Sequence, residues 1–89
     1  MKIVWDEAKR RANLHQHGLD FVDAAKVFSA ITYTIEDRRF GYPEQRFVTL
    51  GMLRDTVVVM AHTETGDTIR IISMRKATRN EQALYFQNL

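Results

Sequence analysis

Near residue 30 the spacing of apolar residues changes from the helical pattern to alternation, and this change limits the folds that the chain can adopt. From there to residue 74, apolar and polar side chains alternate in short segments, as is typical of half-buried β-strands. The predicted strands are Ile31–Glu36, Arg46–Met52, Thr56–Ala61 and Thr68–Met74. The third is almost wholly apolar, which indicates a central strand buried on both faces. Because short connections join consecutive strands, we expect an antiparallel meander. The connection Arg38–Glu44, which holds the only proline, is predicted to be a loop within the domain.

Two helices are expected before the sheet. Asp6 can cap the first helix, which runs to about His17 and ends at Gly18, a residue suited to the left-handed conformation. A second helix is predicted over residues 20–29, where apolar residues recur at helical spacing behind an aspartate N-cap. Ahead of both, Met1–Trp5 is predicted to form a short strand.

A third helix follows the sheet. Thr78 and Glu81 stand three residues apart and form a capping box, in which each side chain accepts a hydrogen bond from the other residue's backbone N–H. The element order is therefore β-α-α-β-β-β-β-α. This order predicts an α+β fold with two N-terminal helices, a curved antiparallel sheet of about four strands plus the short first strand, and a C-terminal helix.

Size and composition narrow the functional classes. With 89 residues the chain should form one domain, residues 1–89. The absence of cysteine excludes a disulfide scaffold, a zinc ribbon and a thiol nucleophile. The longest apolar run, Val57–Ala61, is too short to span a membrane, and the N-terminus lacks the apolar core of a signal peptide. We therefore expect a soluble cytoplasmic protein with no membrane association.

Charge is distributed unevenly along the chain. Residues 70–89 carry four cationic side chains and one carboxylate, whereas residues 20–37 carry four carboxylates and one lysine. A basic segment suits an anionic partner such as nucleic acid, although a solvated helix face would look the same.

The segment Arg70–Glu81 has the pattern best suited to chemistry. On a regular strand, Arg70 and Ile72 would share one face, and Ile71, Ser73 and Arg75 the other. The strand leads into the capped helix, whose N-terminus favours anions, and three cations (Arg75, Lys76 and Arg79) adjoin that point. This arrangement predicts a phosphate site; the alternative is a structural network of salt bridges.

RNA cleavage without a metal needs a base, an acid and cations that stabilise the phosphorane. Candidate proton-transfer residues are His15, His17, His62, Glu44 and Glu81. Histidine is the natural candidate because its ordinary pKa lies near neutrality. His17 is the leading one, although it could instead serve as a cation at a helix C-terminus, and His62 is expected at an edge or in the core. No aspartate cluster suggests a magnesium site, so we expect neither a metal nor another cofactor.

Five further residues are candidate contacts with RNA or a partner. Trp5 could stack on a base or pack in the core, and Tyr85 could donate its hydroxyl to phosphate or pack at the helix end. Lys9 and Asn13 share a helix face and could meet substrate or a partner, and Arg79 adds a cation.

Three ordered groups of residues resemble the BrnT toxins of type II toxin–antitoxin systems. The first comprises Trp5-Asp6, Lys9, Asn13, His17-Gly18, Phe21, Ala24 and Val27-Phe28. The second is Glu44-x-Arg46 followed by Gly51, and the third is Ile69–Ser73, Arg75–Thr78, Glu81 and Tyr85. The chain departs from the family pattern at Gln16, where lysine is usual, at Ser29-Ala30, where Asp-Pro is frequent, and at Met74, where alanine is frequent.

The resemblance implies a fold similar to that of RelE-like ribonucleases and a toxin that cleaves RNA and arrests translation. It also implies a BrnA-like antitoxin that neutralises the toxin in a hetero-oligomer and supplies the only contact with promoter DNA. On this reading Arg70, Arg75, Lys76, His17 and Glu81 would be catalytic. The alternative is a non-catalytic module that binds RNA or a partner through the same basic residues.

Overall fold

The strands and helices follow one another in the predicted order, which confirms the α+β class. The computed structural model describes residues 1–89. Its elements are β1 (Lys2–Trp5), α1 (Glu7–His17), a 3-10 turn (Phe21–Asp23), α2 (Ala24–Phe28), β2 (Thr32–Asp37), β3 (Arg46–Leu53), β4 (Thr56–Thr65), β5 (Thr68–Lys76) and α3 (Arg79–Gln87). No helix has both the length and the apolar character needed to span a bilayer.

The helix ends follow the capping signals in the sequence. The Asp6 carboxylate accepts a hydrogen bond from the Lys9 N–H at 3.1 Å, and Gly18 ends α1 with a φ of +70°. The predicted second helix is shorter than expected, because the Asp20 cap is followed by the 3-10 turn and α2 ends at Phe28. Local side-chain chemistry therefore set where these helices begin and end.

The sheet has five strands in the order β1-β5-β4-β3-β2. Strands β2 to β5 form the predicted antiparallel meander. The prediction of about four strands with a separate short first strand was incomplete, because β1 joins the same sheet and runs parallel to β5, with Trp5 opposite Ile71. The sheet is therefore mixed.

One face of the sheet lies against α1, the 3-10 turn and α2. Its buried cluster is centred on Phe21, Val27, Met60 and Met74, each fully buried. At Gly51 the strand passes so near α2 that an added Cβ would lie 2.6 Å from Val27 Cγ1. A side chain at that position would push α2 off the sheet.

The opposite face is only partly covered, by α3. A second buried cluster consists of Leu50, Val57, Val59 and Tyr85. The Tyr85 hydroxyl donates a hydrogen bond to the Ile31 carbonyl at 2.8 Å, which ties α3 to the start of β2. The rest of this face stays open, and the candidate site lies there.

A β-bulge between β4 and β5 changes which residues of β5 share a face. Ala61 lies opposite Ser73 and the next residue, His62, lies opposite Ile71, so Ile72 has no partner. The predicted faces were therefore wrong for Arg70 and for Ile71, which packs in the first core cluster on the face opposite Ser73 and Arg75. Arg70 shares the α3 side of the sheet with Ser73 and Arg75, because the extra residue reverses the alternation.

Candidate active site

A cleft opens on the α3 side of the sheet, beside the start of α3. Its floor is formed by β2 to β5, and Ser73, Arg75 and Glu81 line one wall. Asp37, Arg38 and Arg39, from the end of β2 and the following loop, line the other. The cleft thus brings together cations from distant parts of the sequence.

Arg75 and Glu81 form a two-pronged ion pair in this cleft. Arg75 Nη1 lies 2.7 Å from Glu81 Oε1, and Nη2 lies 2.8 Å from Oε2. The Arg75 side chain is still 41% exposed, so solvent reaches it in the cleft. Such a pair fixes the plane of the arginine and leaves it able to meet a second anion.

The ion pair determines the protonation of Glu81. Hydrogen bonds from Arg75 lower the pKa of the Glu81 carboxyl to about 2. The same contact raises the pKa of Arg75 above its ordinary value. Glu81 is therefore a carboxylate at neutral pH, has no proton to donate as a general acid, and is a weak base.

Glu81 also fills the anion site predicted at the start of α3. Its Oε1 accepts a hydrogen bond from the Thr78 N–H at 2.8 Å, and the Thr78 hydroxyl accepts from the Glu81 N–H at 3.2 Å. The predicted capping box is confirmed. The predicted convergence of three cations at this point was wrong, because Lys76 lies on the opposite face of β5 from Arg75, as its pairing with Val58 shows.

Arg39 lines the candidate site, and the sequence analysis missed it. Its Nε lies 2.9 Å from Asp37 Oδ1, and this contact lowers the pKa of Asp37 to about 2. Its charge reaches Arg75, whose pKa it lowers slightly against the larger effect of Glu81. The adjacent arginines in the predicted loop were the available signal, but only the folded chain brings them beside Arg75.

A second, shallower cleft lies between α1 and β5. Lys9, Gln16 and His17 line its α1 side, and Ile72 and Ser73 line its β5 side. Ser73 belongs to both clefts, so the half-buried His17 and the Arg75–Glu81 pair lie on either side of one residue of β5. The fold thus places the two predicted groups of site residues in neighbouring clefts.

Two predicted RNA contacts, Tyr85 and Trp5, pack against the core clusters. Tyr85 is 3% exposed and its hydroxyl already binds the Ile31 carbonyl, so it has no free surface to offer RNA. Trp5 packs against the first core cluster, and its indole N–H donates to Glu7 at 3.3 Å. The buried ring and paired hydroxyl of Tyr85 speak against RNA contact there, whereas Trp5 is only partly buried and its contact with RNA stays a prediction.

The remaining candidates lie at several places on the molecule. Arg70, Lys76 and Arg79 are exposed and form no ion pair with any carboxylate. His15 is exposed on α1, and Glu44 accepts a hydrogen bond from Arg46 at 2.8 Å. No three or more His, Cys, Asp or Glu side chains are grouped where they could hold a metal ion.

His62 is a core residue, as expected. It is fully buried between the rings of Phe28 and Phe47, and its Nε2 lies 2.7 Å from the Thr49 hydroxyl. Its Nδ1 has no hydrogen-bond partner, since the nearest carboxylate oxygen, of Glu64, lies 3.6 Å away. Burial lowers the pKa of His62 to about 4, so this histidine is neutral in the folded protein.

Fold and site together define a small α+β protein with an arginine-lined cleft on one face of its sheet, an arrangement suited to binding phosphate groups. The family model described as "Ribonuclease toxin, BrnT, of type II toxin-antitoxin system" matches residues 5–81. The chain belongs to this family, which confirms the resemblance drawn from its motifs. It is therefore a ribonuclease toxin of the type II class, with RNA as substrate and an antitoxin as partner. No curated protein matches the chain.

Proposed function

We propose that residues 1–89 form a single RelE-like toxin domain that cuts RNA internally without a metal and so inhibits translation in the cytoplasm. The observation that supports this proposal best is the Arg75–Glu81 pair in a cleft that Arg39 also lines. A fixed guanidinium beside a second cation suits a phosphate that gains negative charge during the reaction.

The proposed reaction is attack of a ribose 2′-oxygen on the adjacent phosphorus. The O–P bond forms as the bond from phosphorus to the 5′-oxygen breaks, giving a cyclic phosphate and a free 5′-hydroxyl. Arg75 binds the non-bridging oxygens and stabilises their charge in the transition state. Glu81 holds the guanidinium in place, since its low pKa makes it poor at moving protons.

Proton transfer is assigned to His17. It is the histidine that lines a cleft adjoining the arginine cleft, and Ser73 separates the two. Histidine is the side chain best suited both to accept the 2′-hydroxyl proton and to return a proton to the 5′-oxygen.

We assign the exposed cations to the RNA phosphates on either side of the one that is cleaved. Arg70 shares the sheet face of Arg75, and Lys9 lines the His17 cleft. Arg79 is the first residue of α3 and Lys76 lies on the other face of β5, and neither has an ion-pair partner. Each phosphate neutralised in this way releases counterions, so RNA affinity should fall steeply as salt rises.

We further propose that the partner is a BrnA-like antitoxin that forms a hetero-oligomer with the toxin. Carboxylates of the antitoxin would occupy Arg75 and Arg39, the same cations that bind RNA phosphate. Promoter DNA would be bound only through the antitoxin. A complex that bound RNA as tightly as the free toxin would contradict this model.

The test is cleavage of a defined RNA in the presence of EDTA. Wild-type protein should produce fragments ending in a cyclic phosphate at an unchanged rate, and Arg75→Ala should lose most of this activity. Loss of cleavage in EDTA, with recovery on adding magnesium, would exclude the metal-free mechanism.

A second candidate function is an RNA- or partner-binding module without catalysis. It is favoured by the ion pairing of the cleft arginines, since Arg38, Arg39 and Arg75 each contact a carboxylate of the chain itself. RNA that is bound but recovered intact by folded wild-type protein would establish this alternative.

A further inference from the structure

The loop between β2 and β3 carries aromatic rings among arginines, and neither the proposed reaction nor the core uses those rings. Phe40 is a large apolar residue, and it is 63% exposed to solvent. The Phe40 and Tyr42 rings meet edge to face, with centroids 5.7 Å apart. An exposed aromatic ring of this kind offers a surface on which a planar group can stack.

Contacts within the loop hold these rings in place. The Arg46 guanidinium lies 4.0 Å from the centroid of the Tyr42 ring, and the Tyr42 hydroxyl donates to Asp37 at 3.4 Å. The Arg39 guanidinium carbon lies 5.5 Å from the centroid of the Phe40 ring. The ring of Phe40 is thus supported by neighbours while most of its surface faces solvent.

The position of the loop links this surface to the cleft. Arg39 lines the cleft with Arg75 and Glu81, and Phe40 is the next residue along the chain. Phe40, Tyr42 and Arg46 line a neighbouring hollow that shares Asp37 and Arg38 with the cleft. A nucleotide with its phosphate at Arg39 and Arg75 would therefore bring a base close to Phe40.

From this juxtaposition we infer that Phe40 is a base-stacking subsite, and that the substrate is RNA with an unpaired nucleobase next to the phosphate in the cleft. Only an unpaired, unstacked base can present its face to the ring, so double-stranded RNA does not fit the subsite. Stacking is tolerant of sequence, because every base has an aromatic face, and the flanking arginines bind the backbone. This inference rests on the proposed function, since it takes the arginine cleft as the phosphate site.

The test measures binding separately from cleavage. The probe is a short single-stranded RNA with methylated 2′-hydroxyls, which cannot attack the phosphate and so remains intact. A second probe has the same backbone without bases. Phe40→Ala should weaken binding of the first probe about 5- to 150-fold and leave binding of the base-free probe unchanged.

Two variants serve as controls. Phe86→Ala removes the same kind of ring, a phenyl group, from a residue of α3 that is 54% exposed and lies outside both clefts. This variant should bind both probes as tightly as wild type. Phe40→Trp keeps a ring that can stack, so it should retain wild-type affinity, and its added fluorescence should be quenched when the first probe binds.

If Phe40→Ala binds the first probe as tightly as wild-type protein does, the inference is overturned. An equal loss of affinity for both probes would also overturn it. Lower affinity for the antitoxin with unchanged RNA affinity would show that Phe40 contacts protein, which also overturns it. These results leave the proposed catalysis standing if wild-type protein still cuts unmodified RNA. Conversely, if wild-type protein binds unmodified RNA without cutting it, the catalytic proposal fails. The comparison of the two probes would still test whether Phe40 stacks on a base.

Discussion

Asn13 and Met74 are separated by 61 residues and exchange two hydrogen bonds. The Asn13 amide donates to the Met74 carbonyl at 2.8 Å, and the Met74 N–H donates to Asn13 Oδ1 at 3.1 Å. Strand β1 pairs with β5 only as far as Ile71. Beyond that point, the Asn13 side chain supplies the hydrogen bonds to β5 that a neighbouring strand would otherwise supply. The contact fixes the backbone immediately before Arg75.

Replacing Asn13 should therefore destabilise the protein. Asn13→Ala leaves the buried Met74 N–H and carbonyl without partners, and also removes the bond from the Asn13 amide to the Leu19 carbonyl. We expect a loss of about 3 kcal/mol in the free energy of unfolding, because unpaired buried polar groups each cost about 1–3 kcal/mol. Urea unfolding measures this. Asn88→Ala, which removes one exposed amide contact to the Leu84 carbonyl, is the matched control and should change stability little.

Tyr85 should prove structural. Tyr85→Phe removes the hydrogen bond to the Ile31 carbonyl and should cost about 1 kcal/mol of stability. Tyr85→Ala also opens a cavity in the second core cluster and should cost about 3–5 kcal/mol. RNA affinity of folded Tyr85→Phe should equal that of wild type. A large loss of RNA binding with unchanged stability would show that the hydroxyl reaches substrate after all.

His62 should make the protein less stable as pH falls. Its pKa is about 4 in the fold against 6.5 as the ordinary value, so between these pH values the unfolded chain binds a proton that the folded chain excludes. Stability from this group is present above pH 6.5 and is lost as pH falls toward 4. The expected loss between pH 7 and pH 5 is about 2 kcal/mol.

Unfolding in urea at several pH values tests this assignment. His62→Gln has no proton to gain and should lose much less stability over the same interval, whatever its stability at neutral pH. His15→Gln removes an exposed histidine and should keep the wild-type slope. Identical slopes for wild type and His62→Gln would assign the pH dependence to other groups.

Features set by neighbouring residues could be predicted from the sequence. The Asp6 cap, the end of α1 at Gly18 and the capping box of α3 depend on side chains within a few residues of the backbone that they bind. The antiparallel meander also follows from adjacent alternating segments. The parallel pairing of β1 with β5 has no local signal, because its two strands lie at opposite ends of the chain.

The candidate site was harder to predict because it depends on one unpaired residue and one long-range contact. The bulge at Ile72 reverses the alternation along β5 and moves Arg70 to the face of Arg75. Arg39 reaches the cleft only once β2 and β3 are folded against β4 and β5. The sequence indicated Arg75 and Glu81 as candidate site residues, but not that each would be the other's partner.

Arg75 should matter for cleavage far more than for stability. Its ion pair with Glu81 is partly solvated, and exposed pairs contribute about 0–1 kcal/mol, so Arg75→Ala should unfold close to wild type. Its cleavage rate should fall about 10²- to 10³-fold, as expected when one donor to developing charge is lost. Lys76→Ala, on the other face of β5, should reduce the rate much less.

Arg10→Ala is the matched control, because Arg10 binds the carboxylates of Glu7 and Asp20 away from both clefts and should affect stability without affecting cleavage by folded protein. Melting temperatures and kcat/KM for all three variants decide the assignment. If Arg75→Ala cleaves RNA as fast as Arg10→Ala, then Arg75 is a structural partner of Glu81 and the phosphate site lies elsewhere.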